Sequence, residues 1–280
     1  MKEIFLCSIC NISSGSCAED CGFCTQSAKN HADIERYKYK AIEQIVFEAK
    51  NASAHGALGF CLVTSGLGLD AKKLAFVCDA ARTIRVELPL IHLIACNGLA
   101  TLEQLKALKE AGVNSYNHNL ESSRDYYAKI CTTHTWEERF QTCLRVKEAG
   151  LYLCSGGIFG LGENKKDRAS FIKSIQELSP ATMPLNFYHP NPALPLKAEP
   201  LSEAEALDII KDVRLALPLT MLMVAGGREI TFKNRQCDIF SAGADAIVIG
   251  DYLTTKGQLP KADLEMIHAL GHSIATACHA

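Results

Sequence analysis

Eight short apolar runs, each followed by an amphipathic segment, constrain the fold of this chain more than any motif in it. The runs are Ile4–Ile12, Leu58–Ser65, Leu90–Cys96, Val113–Leu120, Leu151–Ile158, Pro184–His189, Thr220–Gly226 and Asp245–Gly250. Their length and apolar content predict strands. Between them, apolar residues recur at helical spacing over 42–55, 74–85, 101–112, 136–150, 168–178, 202–217, 232–243 and 262–271. "TLEQLKALKEAG" opens on a Thr cap and closes on Gly112, and "WEERFQTCLRVKEAG" closes the same way on Gly150. The helix–Ala–Gly–strand joint recurs in "EAGVNS", "EAGLYL" and "SAGADA". Alternation of this kind predicts a parallel sheet. Eight units in 280 residues predict closure into a (β/α)8 TIM-type barrel, with a doubly wound open sheet as the other arrangement. No linker or low-complexity stretch divides the chain, so one domain is expected over 1–280.

Such barrels carry their chemistry at the C-terminal ends of the strands. Polar residues there become candidates, and those on the outer helices do not. Directly after the first strand comes "SCAEDCGFCTQ", which sets Cys17, Cys21 and Cys24 in one loop over 13–28. The loop is rich in Ser, Ala and Gly, which let backbone wrap closely around an inorganic group. Thiolates suit zinc and iron–sulfur clusters. A closed zinc site would want a fourth ligand, for which His31 is the near candidate. Three ligands on a cubane leave one iron open to a small molecule.

The chain has 13 cysteines, an odd count in a long sequence, which does not suit a small secreted disulfide scaffold. The N-terminal "IFLCSICNI" reads as a buried strand, since it is short and no small-residue cleavage site follows it. No run approaches the length of a membrane span, so a reducing cytoplasm is the expected setting. The net charge of −2 offers no domain-wide basic field for nucleic acid. Cys61, Cys96 and Cys154 lie singly on the second, third and fifth strands, and Arg228 ends the seventh. If these side chains face the barrel axis, they can meet inside it. Cys7 and Cys10 are three apart on one strand and so point to opposite faces. They read as structural, as do Cys78, Cys131, Cys143, Cys237 and Cys278.

Cys-x3-Cys-x2-Cys with an aromatic, here Phe23, before the last Cys resembles the radical S-adenosylmethionine (SAM) superfamily. Together with "YNHNLESS" (116–123), "CSGGIFGLGE" (154–163), "PLNF" and "AGGRE", it resembles the biotin synthase family over essentially the whole chain. The resemblance implies a 4Fe–4S cluster on Cys17, Cys21 and Cys24, with SAM on the open iron. It implies a 2Fe–2S cluster on Cys61, Cys96, Cys154 and Arg228, with the cluster as sulfur source. It places Asn117, Asn119 and Asn186 on dethiobiotin, and Asn119, Glu121 and Arg139 on SAM. The implied reaction uses the 5′-deoxyadenosyl radical to abstract hydrogen from dethiobiotin, then inserts sulfur to give biotin. A flavodoxin or ferredoxin as electron donor and a homodimer are further implications.

The residues themselves agree with several of these roles. Asn117, Asn119 and Glu121 are two apart and share one strand face, which leaves His118 pointing outward. Amides both donate and accept, which suits a cyclic urea. The glycines of "GGIFGLG", including Gly157 and Gly160, would let backbone approach the adenosyl part of SAM. Guanidinium normally stays protonated, so Arg228 is an unusual cluster ligand. Glu121 stands where many relatives have Asp, and Trp136 where Tyr is usual. Other readings are a different radical SAM maturase or sulfur-inserting enzyme, or a non-catalytic iron–sulfur scaffold. A scaffold would not need asparagines inside the barrel.

Overall fold

The computed structural model describes residues 1–278. The strands are β1 (Glu3–Ser13), β2 (Gly59–Thr64), β3 (His92–Cys96), β4 (Ser115–Asn117), β5 (Tyr152–Cys154), β6 (Gly157–Phe159), β7 (Thr182–Phe187), β8 (Met221–Val224), β9 (Ala246–Val248) and β10 (Ser273–Ile274). All their pairings are parallel. The order runs β1-β2-β3-β4-β5-β7-β8-β9, and β9 pairs back onto β1, so the sheet closes. β6 resumes the line of β5 after a two-residue break and pairs with β7. The barrel therefore has eight staves, at the eight positions the apolar runs mark, and is a single-domain (β/α)8 TIM-type barrel. β10 extends the closed end beside the first residues of β1.

Two apolar layers follow from the strand period of two. Outward residues such as Ile4, Leu6, Phe60, Leu62, Leu93, Leu185, Leu222 and Ile247 are buried against the surrounding helices. Inward residues such as Phe5, Cys7, Cys61, Ile94, Met223 and Val248 form a separate cluster inside the barrel. Strands buried on both faces read as continuous apolar runs, which is why they stand out in the sequence. The helix termini are closed locally. Capping boxes at Thr101/Gln104, Thr135/Glu138 and Asn164/Asp167 satisfy otherwise orphaned N–H groups, at about 1 kcal/mol per cap.

The main departure from the expected pattern lies at 232–243. One helix is expected there, whereas the chain forms a short helix at Arg228–Phe232, a 3-10 turn at Lys233–Arg235 and a second short helix at Asp238–Ala242. Lys233 at φ 45° breaks the continuity. Gly227, at φ 81°, turns the chain so close to β7 that a Cβ would lie 2.1 Å from the Phe187 carbonyl oxygen. Arg228 thus starts a helix and does not end a strand.

Candidate active site

The loop after β1 wraps around its own backbone. Cys17 N–H donates to the Gln26 carbonyl at 3.3 Å, and Ala28 N–H donates to the Cys17 carbonyl at 2.8 Å. The Gln26 side chain accepts from Gly15 N–H at 2.6 Å and from Ser14 Oγ at 3.2 Å. Asn30 Nδ2 donates to the carbonyls of Cys21 at 3.1 Å and Cys24 at 2.8 Å. These bonds set all three cysteines on one curl of chain. Burial pushes the Cys17 thiol up and Cys24 to about 11. Cys21 is pushed up first by its hydrogen bond with Cys131 and then by burial. Metal binding at these sulfurs therefore releases protons.

Cys21 has a neighbour that the spacing of its own loop does not reveal. Its Sγ lies 3.6 Å from Cys131 Sγ, and Cys131 Sγ lies 3.3 Å from His134 Nδ1. His134 Nδ1 also lies 2.7 Å from the Glu19 carboxylate. Among the described residues, Cys21, Cys131 and His134 have ligand atoms within 4.8 Å of one another; Cys17 and Cys24 do not join that set. One ion needs ligand atoms this close, whereas a cluster of several irons spreads its thiolates wider. Cys17 and Cys24 therefore do not share a single-ion site with Cys21. His31 caps the short helix after the loop and is exposed, outside this group.

Inside the barrel a cavity of about 370 Å³ runs from this loop toward the closed end. Phe23, Cys24, Asn119 and Glu121 line it at the mouth, with Asn117 and Asn186 farther in. Cys7, Cys61, Cys96, Cys154 and Met223 line its deeper part. The strand register explains why these side chains meet. Cys7 lies beside Gly59, Ile9 beside Cys61, Val63 beside Cys96, and Asn117 beside Cys154. Cys61 is pushed up by its thiol contact with Cys96, then by burial, then by the charges of Cys7 and Cys154. Burial raises Cys154 to about 12.

Four acidic or amide groups face this space differently. Asn119 Oδ1 accepts from Gly156 N–H at 3.2 Å. Asn186 accepts from Gly226 N–H at 2.9 Å and donates to the Gly157 carbonyl at 3.1 Å. Asn117 Oδ1 is buried with no protein partner. Glu121, at φ 66°, gives Oε1 to Arg139 at 2.9 Å, while its buried Oε2 has no partner. Burial pushes the Glu121 carboxyl up, and Arg139 opposes that shift. Arg139 also donates through Nε to the Asn119 carbonyl at 2.7 Å. It does not line the cavity but holds two residues that do.

His118 takes the outward place expected for it, and the remaining residues singled out in the sequence make contacts within the chain. The His118 carbonyl accepts from Cys143 Sγ at 3.1 Å on the helix at Trp136–Glu148. A Cβ on Gly157 would lie 2.5 Å from the Glu121 carbonyl oxygen, and one on Gly160 would lie 3.0 Å from Leu201. Both glycines thus make room for the chain's own atoms. Trp136 keeps its indole N–H bonded to the Ser122 carbonyl at 3.0 Å.

Arg228 departs furthest from its expected place. Its side chain is fully buried but outside the cavity. The turn at Gly227 swings it onto Asp263, where Nη1 lies 2.7 Å from Oδ1 and Nη2 donates to Oδ2 at 2.9 Å. Nη1 also donates to Gln236 Oε1 at 2.9 Å. Burial opposes the Arg228 charge, and Asp263, Tyr252 and Glu229 together more than offset it. Burial pushes the Asp263 carboxyl up against the pull of Arg228. A guanidinium stays protonated, so the pair is ionic. Cys7 shows the opposite displacement: read as structural, it lies in the cavity. Cys10 points outward, with its Sγ 3.1 Å from Glu48.

A closed parallel barrel with a three-thiol loop at its mouth and a largely apolar cavity carrying a few amides and thiols beneath is the architecture of the radical SAM enzymes. The Radical SAM superfamily profile matches residues 11–175, and that of the Biotin and Thiamin Synthesis associated domain matches residues 184–273. The chain is 57% identical over 278 residues to a biotin synthase of Aliarcobacter butzleri, covering 99% of each chain. It is 58% identical over 277 residues to one of Nitratiruptor sp., again covering 99% of each. Among solved structures, the FeFe-hydrogenase maturase HydG from Carboxydothermus hydrogenoformans superposes with a TM-score of 0.85 at 18% identity, over 99% of this chain and 69% of that one. Methylornithine synthase (PylB) superposes with a TM-score of 0.82 at 18% identity, over 98% and 84%. At that identity the likeness is one of fold. The chain belongs to the biotin synthase family of radical SAM enzymes.

Proposed function

We propose that the chain inserts sulfur into dethiobiotin to form biotin, with SAM as cosubstrate. The observation that carries this is a pair of orphaned acceptors. Asn117 Oδ1 and Glu121 Oε2 are both buried, both lack a partner, and both belong to residues lining one cavity between Cys24 and the deeper thiols. A buried acceptor without a donor is costly, so a ligand carrying N–H or O–H groups fits here. The ureido N–H of dethiobiotin suits Asn117, and the ribose hydroxyls or ammonium of SAM suit Glu121.

In this reading Cys17, Cys21 and Cys24 hold a 4Fe–4S cluster at the mouth, and Cys61, Cys96 and Cys154 contribute to a second iron–sulfur centre below. When bound, these groups supply the radical-generating electron transfer to SAM and the sulfur atom that enters the product. The chain's own residues do the rest. Asn117 orients the substrate, while Asn119 and Asn186 brace the backbone around it. Arg139 holds Glu121 and the Asn119 carbonyl in place. Phe23, Ile94, Val63 and Val248 line the cavity with apolar surface and exclude water from the reacting carbons.

The barrel over 1–280 acts as one domain. A homodimer and a flavodoxin- or ferredoxin-type reductant follow from the resemblance, and a reducing cytoplasm suits its many thiols. No helix of the described residues is long and apolar enough to cross a membrane. The test is anaerobic incubation with reductant, SAM and dethiobiotin, with products read by mass spectrometry. Biotin and 5′-deoxyadenosine are expected together. Cleavage of SAM without biotin, under conditions where the second centre is fully loaded, would refute the substrate assignment.

A further inference from the structure

Four staves each send one thiol into the deeper cavity: Cys7 from β1, Cys61 from β2, Cys96 from β3 and Cys154 from β5. The family resemblance supplies three of these and completes the set with Arg228. Arg228 is committed elsewhere, to Asp263 and Gln236. Moving it into the cavity would leave the fully buried Asp263 carboxylate unpaired, at a cost of several kcal/mol. The inward residue on its stave is Met223, set between Pro184 and Ala246 in the register. A thioether is a far weaker donor to iron than a thiolate.

Cys7 has a seat built for it. Its register partner on β2 is Gly59, and a Cβ there would lie 3.1 Å from Cys7 Sγ. The missing side chain leaves a notch in the inner wall, and the thiol occupies it. The same Cβ would lie 3.0 Å from the Phe5 ring, so Phe5 packs into the notch from the other side. Cys278, near the end of the chain, also packs against this inner cluster but does not line the cavity.

We propose that Cys7 is a ligand of the second iron–sulfur centre, which is therefore held by four thiolates, Cys7, Cys61, Cys96 and Cys154, and not by three thiolates and Arg228. This rests on the reading that the chain carries a second centre at all. Arg228 is then a fixed ion-pair partner behind the wall, and every bond from the protein to the centre is an iron–sulfur bond. Loading that centre releases a proton from Cys7 as well as from the other three thiols.

The test is run in a C17A/C21A/C24A background, which isolates the second centre. The chain is reconstituted anaerobically with iron and sulfide. Iron and acid-labile sulfide per chain, the visible absorption and the Mössbauer spectrum are then measured. Circular dichroism confirms that each variant is folded. Cys7→Ser nearly preserves volume and is expected to lose at least about half of the bound iron or to shift the Mössbauer doublets. Arg228→Lys keeps a cation for Asp263 and is expected to leave both unchanged, as is Cys278→Ser. Gly59→Ala, which crowds the Cys7 thiol, is expected to reproduce the Cys7→Ser spectrum in part. A Cys7→Ser protein with unchanged iron content and spectrum overturns the proposal, as does loss of the centre in Arg228→Lys or in Cys278→Ser alone. Absence of bound iron in the background itself overturns both this proposal and the reading beneath it.

Discussion

Replacing Arg228 by Met removes the charged partner of a carboxylate with no exposure of its own. Asp263 and Arg228 are both fully buried, and two of their contacts are 2.7 and 2.9 Å long. Removing one member of such a pair costs about 3–5 kcal/mol, because the other is left as an uncompensated buried charge. For a chain of this size, roughly 2 °C of melting temperature is lost per kcal/mol. The expected drop for Arg228→Met is therefore about 6–10 °C. Asp263→Leu alone should cost a similar amount, by stranding Arg228. The double variant should recover most of the loss, since a buried pair replaced by apolar residues of similar volume is often neutral. The coupling from that double-mutant cycle should exceed about 2 kcal/mol. Thermal unfolding by circular dichroism, before and after a chelator strips bound metal, measures all four proteins. The losses should be the same in both conditions, because the pair lies outside the cavity. If Arg228→Met melts with the unchanged chain when stripped but destabilises only the loaded protein, Arg228 acts on the metal and the ion-pair account is wrong.

Asn117→Ala should raise the KM for dethiobiotin roughly ten- to hundredfold, the loss of one buried hydrogen bond of about 1–3 kcal/mol; an unchanged KM would remove Asn117 from the substrate. Cys24→Ala should abolish SAM cleavage and biotin formation together, whereas Cys154→Ala should keep measurable cleavage and lose biotin. A normal biotin yield from either would contradict the role of that thiol. His92 is held down to about 4 from 6.5, first by burial and then by Arg85. Between those two values the unfolded chain binds a proton that the folded chain does not. Stability should therefore fall as pH is lowered from about 6.5 to 4, by up to about 3 kcal/mol. Denaturant titrations of His92→Asn should show a shallower acid slope, and an identical slope would refute the assignment.

Much of the site is legible from spacing. The apolar runs mark all eight staves, because strands buried on both faces are largely apolar. Asn117, Asn119 and Glu121 line the cavity and His118 does not, as the alternation predicts, although the strand itself ends at Asn117. The loop cysteines announce themselves by proximity in the chain. Asn30, which ties the Cys21 and Cys24 carbonyls, and Cys131, which meets Cys21 from 110 residues away, carry no such signal.

The sequence by itself determined the barrel, the thiol loop at its mouth and the inward asparagines, since each depends on a local period or a short spacing. Tertiary structure alone decided which distant side chains share a space. Arg228 and Cys7 exchanged their expected places for reasons that span the fold. A glycine turn against the Phe187 carbonyl sends Arg228 to a carboxylate 35 residues later in the chain. Barrel closure places Cys7 over a glycine on the neighbouring stave, in the wall of the same cavity as thiols from three other strands. Register and tilt in a closed sheet are properties of all its strands together, so no single segment encodes which residues meet at the axis.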